Sequence, residues 1–285
     1  MGTKRKEKKE KKEKKPKSKF RSFLEWAIIV VAACVFCFSA YQLYLIYSQN
    51  SQEADETESL QDLVDAPTSS EELDTFSIDF DELLAINEDI VGWIIVEDTD
   101  ISYPIVQGDD NEYYLDHTYY GTSNYAGAIF MDYRASSDFS DLNTFIYGHN
   151  VYHGTMFAEL ANYMDEDFFN SHPYVYLYTP SGNYKLQVFS AYVEEASSDS
   201  YKMSFSSLDA FAEYLELVTS KSVYETDVTV TSSDRIVTLY TCSYESGNNP
   251  TNTEDSSEIT ERYFIHCKLI EVLEVDAQVP TGQTE

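Results

Sequence analysis

Residues 23–47 read FLEWAIIVVAACVFCFSAYQLYLIY, an apolar run long enough to cross a hydrocarbon core of about 30 Å as a helix. Backbone that enters lipid must satisfy its polar groups within the segment, so the run predicts one transmembrane helix and places any water-soluble fold outside it. Glu25 sits near one end, within reach of the interface. Twelve of the 19 Lys and Arg lie in residues 1–21, whereas the side after the run is acidic. The positive-inside rule then keeps residues 1–22, a basic tail, in the cytoplasm and puts Ser48 onward outside a single-pass cell membrane anchor. A cleaved signal peptide fits less well, because the run exceeds a typical h-region and no A-x-A-like site follows it closely.

From Ser48 onward seven Lys and Arg face 46 Asp and Glu, a net charge of −39. A surface of that sign repels nucleic acid, so no nucleic-acid partner is expected. The whole chain of 285 residues is nevertheless 43% hydrophobic and 15% aromatic, too apolar for a disordered acidic polymer. Residues 48–75 are polar and poor in large apolar side chains, which predicts a flexible acidic stalk. The folded domain is then expected over 76–273, and residues 274–285 as a disordered tail.

Within that domain strand signals dominate. Segments 91–96, 101–106, 128–131, 143–147, 175–179, 184–193, 227–231, 236–242 and 262–272 are rich in Val, Ile, Tyr and Thr and are separated by Gly, Asn, Asp or Pro turns. Helical spacing appears at 79–87 (Phe80, Leu83, Leu84), at 156–164 (Phe157, Leu160, Ala161) and at 207–220, where Ser207 is a candidate cap. Many short strands with few helices predict a mainly β fold closed into a barrel, since closure removes exposed edges.

Two of the four cysteines, Cys34 and Cys37, lie in the apolar run, leaving Cys242 and Cys267 outside, where a disulfide is one option. If the strands ending at Cys242 and starting at Arg262 pair as an antiparallel hairpin, Cys267 falls roughly 16 Å from Cys242 along the ladder. A disulfide needs Cα atoms within about 7 Å, so that pairing favours a free thiol at a strand end beside a loop. A nucleophilic thiol needs a base, and His149 in NTFIYGHN also sits where a strand opens into a loop, although a packed strand-end histidine has the same signature. His149 and His153 make H-x-x-x-H, but Asn150 occupies the position of the zinc-protease glutamate, so no metal is expected. Arg262, one of three arginines after the apolar run, could donate to an oxyanion or form a surface ion pair.

TLYTC (238–242), YGHN (147–150) and ERYFIHCKL (261–269) resemble the cysteine, histidine and arginine motifs of the sortases. NEDIVGWIIVEDTDISYPIVQ, YYLDHTYYGTSNYAGAIFMD and GHNVYHGTMFAELANYMDEDFF are similar to class B in particular, and the likeness runs from about residue 79 to 272. It implies an eight-stranded sortase barrel with an N-terminal helix and a helix before the cysteine strand. It also implies a cysteine transpeptidase that cuts a secreted protein's sorting signal between Thr and Gly. Cys242 would be the nucleophile, His149 the general acid and base, and Arg262 the stabiliser of oxyanion and substrate, with no cofactor. The acceptor would be an amine on peptidoglycan or on a pilin subunit.

Two features depart from the class pattern: a long loop between Cys242 and Arg262, and Tyr240 where a small Ser is common. Near the end, residues 278–282 read QVPTG, similar to the sorting motif of some pilus-building class B sortases, but no apolar span and basic tail follow. The other readings are a pilin polymerase, a different extracytoplasmic cysteine peptidase and a non-catalytic surface adhesin. The papain signature C-G-[SA]-C-[WY] and the L,D-transpeptidase pattern are absent.

Overall fold

A computed structural model describes residues 19–67, 69–151, 154–243 and 261–273. The basic run before residue 19, His153, most of the loop between Cys242 and Arg262, and the QVPTG tail lie outside the described residues. The chain divides into two units, Met1–Gln49 and Asn50–Glu285.

The first unit contains most of the apolar part of α1 (Lys19–Val64). Its best 18-residue window has a mean hydropathy of 2.3, long and apolar enough to cross a membrane, and Phe23, Trp26, Phe36, Phe38 and Tyr47 are all exposed. Exposed apolar side chains over a whole span are what a lipid-facing helix presents.

In the second unit the expected stalk is not a flexible linker. α1 runs on to Val64, and its inward stripe of Glu53, Thr57, Leu60 and Val64 follows helical spacing, with Leu60 fully buried and Val64 partly buried against the core. Gln61 Nε2 donates to the Ser102 carbonyl at 2.8 Å, and the Ser59 and Tyr120 hydroxyls are 2.9 Å apart. Next comes α2 (Ser70–Leu73), whose Leu73 is fully buried, and Asp74 accepts from Lys185 Nζ at 2.6 Å. The segment escapes a composition argument because one Leu per two turns, flanked by hydrogen-bonding polar residues, is enough to seat a helix on a surface already formed. α3 (Phe80–Ile86) follows, capped by Asp79, whose side chain accepts from Asp81 N.

Eight strands then close a barrel: β1 (Ile90–Val96), β2 (Ser102–Val106), β3 (Phe130–Met131), β4 (Asn143–Tyr147), β5 (Tyr174–Thr179), β6 (Gly182–Glu195), β7 (Ile236–Cys242) and β8 (Glu261–Leu273), in the spatial order β1-β2-β3-β4-β7-β8-β6-β5. Pairings β2–β3 and β4–β7 are parallel and the rest antiparallel. Closure leaves no unpaired edge for association with another chain. The barrel and the helices expected near 79–87 and at 207–220 are present, and other segments differ from the expectation.

Segment 227–231 is not a strand: Val228 and Val230 pack against the core, but β7 and β8 are already flanked on both sides and leave its backbone no ladder to join. The helix expected at 156–164 is a 3-10 turn over Ala158–Met164, because its buried residues Phe157, Leu160 and Tyr163 recur every three positions, the period at which 3-10 side chains align. An additional short helix, α4 (Glu166–Ser171), is capped by Asp165, which accepts from the amides of Asp167 and Phe168. The helix before the cysteine strand, α5 (Leu208–Ser220), matches its expectation: Ser207 accepts from Ala210 N, and Phe211, Leu215 and Val218 are buried.

Because Leu60 is fully buried, Leu60→Ala should destabilise the second unit by about 2–5 kcal/mol, the usual cost of a buried Leu cavity. Denaturant unfolding of the detergent-solubilised full chain, followed by tryptophan fluorescence, reads this; an unchanged midpoint would mean that residues 50–64 do not dock as described.

Candidate active site

The register of β7 on β8 runs from Ile236 opposite Lys268 to Cys242 opposite Arg262. Directly opposed residues of an antiparallel pair share a face, so the Cys242 thiol and the Arg262 guanidinium leave the same side of the sheet at the same barrel end. The hairpin inferred from sequence is therefore correct residue for residue. Cys267 is opposite Val237, five positions from Cys242 along the ladder, and both cysteines are free.

β4 delivers the third group. It runs parallel to β7 with Tyr147 opposite Tyr240, and Gly148 N then donates to the Tyr240 carbonyl at 3.3 Å, so the chain leaves β4 beside the end of β7. Any side chain at 148 would run into Ile129 Cδ1 and the Phe157 ring, so only glycine allows this close passage. Asn150 Nδ2 donates to the Cys242 carbonyl at 2.9 Å and ties the two strand ends together. His149 Nε2 lies 2.7 Å from the Leu115 carbonyl. A carbonyl only accepts, so Nε2 carries the proton, and in the neutral ring Nδ1 is the nitrogen with a lone pair to use.

Cys242, His149 and Arg262 line one cavity of about 190 Å³ together with Asn111, Leu115, Phe130, Tyr147, Tyr201 and Tyr240. The three residues singled out in the sequence thus meet at one place. Burial pushes the Cys242 thiol up from its ordinary value, against the opposing pull of the Arg262 charge. Burial also pushes the His149 imidazole down; its bond to the Leu115 carbonyl opposes this and the Arg262 charge adds to it. Burial thus favours the uncharged form of each group, the thiol and the neutral imidazole.

Below the aromatic wall lies Asp132, whose side chain is fully buried. It accepts from Arg134 Nε at 2.8 Å, Arg134 Nη2 at 2.7 Å, the Tyr147 hydroxyl at 2.6 Å and Asn111 Nδ2 at 2.8 Å. Burial opposes its charge, but these donors hold the carboxyl down at about 2. Tyr147 and Tyr201 share a 2.6 Å hydroxyl contact, so the rings facing the cavity are fixed in orientation from beneath.

Sequence reasoning did not single out Leu115, Asn111, Asp132, Tyr201 or the positive role of Asn150, since each acts through a contact between distant segments. Among the other histidines, His117 bonds Asp116 and stacks on Tyr113, His172 bonds Ser171 and the Phe168 carbonyl, and His266 is buried between Tyr192 and Thr238. No group of three or more His, Cys, Asp or Glu with metal-binding geometry occurs among the described residues.

The Sortase domain family matches residues 94–270. Sortase B of Listeria monocytogenes is 43% identical over 166 residues, 58% of this chain and 67% of that protein. Sortase B of Staphylococcus aureus is 37% identical over 194 residues, 68% and 75% of the two chains. Among solved structures, Bacillus anthracis sortase B in complex with AAEK1 superposes with a TM-score of 0.67 at 37% identity, covering 79% of this chain and all of the other. The Staphylococcus aureus sortase B–substrate complex gives 0.67 at 32% identity, covering 79% of this chain and 99% of the other. The barrel, the register that sets a thiol against an arginine and these similarities converge: the chain belongs to the class B sortases, a family of cysteine transpeptidases.

Proposed function

We propose that this transpeptidase cleaves the sorting signal of a secreted protein between Thr and Gly and joins the new carboxyl end to an amine on peptidoglycan or on a pilin subunit, with Cys242, His149 and Arg262 as its catalytic residues. The observation that carries the reading is the cavity in which a strand-end thiol, the lone-pair nitrogen of an oriented imidazole and a guanidinium converge. His149 Nδ1 takes the Cys242 proton, and the thiolate adds to the Thr carbonyl carbon. Negative charge then develops on the carbonyl oxygen, where a guanidinium fork is a suitable donor. Nδ1 returns the proton to the departing Gly nitrogen, leaving a thioester. The incoming amine attacks the thioester, Nδ1 accepts a proton from that nitrogen, and the sulfur leaves as thiolate to recover it. No step consumes a metal or cofactor.

The partners in this reading are secreted proteins or pilins that bear a sorting signal, presented outside the cell, where the apolar helix anchors the chain and its basic flank sets the orientation. A catalytic domain on an uncleaved anchor meets such proteins as they emerge.

Two outcomes are expected. Cys242→Ala should abolish release of the Gly-containing fragment from a sorting-signal peptide while the melting temperature stays near that of the parent, because a small, partly buried thiol at a strand end contributes little packing; transfer retained in the Ala protein, measured by mass spectrometry, removes Cys242 from the chemistry. With an added amine the product should be the amide, whereas a hydrolysed acid at saturating amine would point to a peptidase instead. Arg262 provides the pH test. Its positive charge favours the thiolate, so removing it in Arg262→Gln should move the rate of Cys242 alkylation by iodoacetamide to a higher pH midpoint. An unmoved midpoint would show that the guanidinium does not act on the thiol.

A further inference from the structure

β6 pairs with the far side of β8 and sets Glu194 directly opposite Arg262. Cys242, Arg262 and Glu194 therefore form one row across three strands, with their side chains on one face. An arginine and a glutamate in that relation ordinarily make a cross-strand ion pair, which would draw the guanidinium toward β6 and away from Cys242. The Glu194 carboxylate is instead engaged from α5. Lys221 Nζ donates to its two oxygens at 2.6 and 2.7 Å, Ser200 Oγ donates to Oε2 at 2.5 Å, and Lys221 Nζ lies 2.9 Å from Ser200 Oγ. Lys221 caps the C-terminal end of α5, where the carbonyl dipoles favour a cation, and its ammonium lies 5.9 Å from the Tyr192 ring centroid. On the other side, the Arg262 guanidinium carbon is 5.9 Å from the centroid of Tyr240, a ring held by edge contacts to Tyr147 and Phe264.

We propose that Lys221, Glu194 and Ser200 form a positioning cluster for Arg262: by engaging the carboxylate opposite it, Lys221 and Ser200 keep the guanidinium over Tyr240, on the side of Cys242. The inference rests on the proposed role of Arg262. Among the described residues, the charged and titratable groups that face Arg262 are Glu194 from β6, Cys242 and Tyr240 from β7 and His149 from the turn after β4, while Glu261, next to it on β8, turns its side chain to the other face and takes the guanidinium on its carbonyl at 2.9 Å. Among the described residues Glu194 is the carboxylate in register with it on a neighbouring strand, so its release would redirect the guanidinium. Lys221→Gln leaves that carboxylate without its cation and lets it capture Arg262, whereas Lys221→Arg supplies the cation again.

The test uses the full chain in detergent and reads both transfer of a sorting-signal peptide and the pH midpoint of Cys242 alkylation. Lys221→Gln should lower kcat roughly tenfold or more, in keeping with the cost of displacing a positioned group by about 1 Å, and should raise the alkylation midpoint. Lys221→Arg should restore both. The double variant Lys221→Gln/Glu194→Gln should also restore both, because no competing carboxylate remains, although the ion pair is gone. In an Arg262→Gln background Lys221→Gln should move the midpoint no further. Ser200→Ala, a milder change, should shift it in the same direction by less and serves if Lys221→Gln fails to fold. A double variant as impaired as the single one would make the cluster merely structural, and an equal shift without Arg262 would mean that Glu194 acts on the thiol directly; either overturns the proposal. Alkylation needs no peptide, so a normal coupling pattern in a chain that transfers nothing would sink the reading of its function and leave the positioning cluster standing.

Discussion

The pairing of β7 with β8 is the constraint on which the rest depends. Both are central strands of a closed barrel, each with a neighbour on its other side, so a slip of one residue would turn every side chain of a strand to the opposite face and break the ladders on both flanks. That cooperative penalty fixes Cys242 against Arg262 without any direct bond between them. β4, parallel to β7, then has no freedom over where it ends, and Gly148 lets the chain pass close enough for Asn150 to bond the Cys242 carbonyl. Three groups from separate parts of the sequence are thus placed by backbone hydrogen bonding, the most rigid scaffold available.

Burial and charge act against each other around that row. Removing the thiol and the imidazole from water favours their neutral forms, and the Arg262 charge partly reverses this for the thiol while reinforcing it for the imidazole. Both groups are thereby biased toward their uncharged forms beside the charged arginine. Asp132 lies beneath the aromatic wall with its charge satisfied by Arg134, Tyr147 and Asn111, so it fixes ring orientation rather than competing for the guanidinium. Glu194 is engaged in a similar way by Lys221.

How much of this was legible in the sequence depended on whether the signal was local. The strands at 236–242 and 143–147 stand at the expected residues because β-branched and aromatic runs bounded by turn residues carry their own preference. Segment 227–231 has the same local pattern and is not a strand, since pairing depends on an available edge and the barrel offers none. The stalk reading failed in the opposite sense: residues 50–64 are polar by composition, yet Leu60 becomes fully buried once a complementary surface exists. The 3-10 turn at Ala158–Met164 is marked in the sequence only by the three-residue recurrence of Phe157, Leu160 and Tyr163.

The sequence alone determined the apolar run and the basic flank before it, the mainly β character, and the chemistry on offer: a thiol and an imidazole at strand ends, with an arginine beginning the next strand. These are properties of residue type and short-range spacing, which the chain carries whether folded or not. Only the tertiary structure decided which of them meet. It selected Nδ1 of His149 by giving Nε2 the Leu115 carbonyl, put Asp132 beneath the cavity wall, and set Glu194 opposite Arg262 while sending Lys221 from α5 to engage it. Each of those outcomes joins segments far apart in the chain, and such contacts exist only once barrel closure has fixed every strand's register.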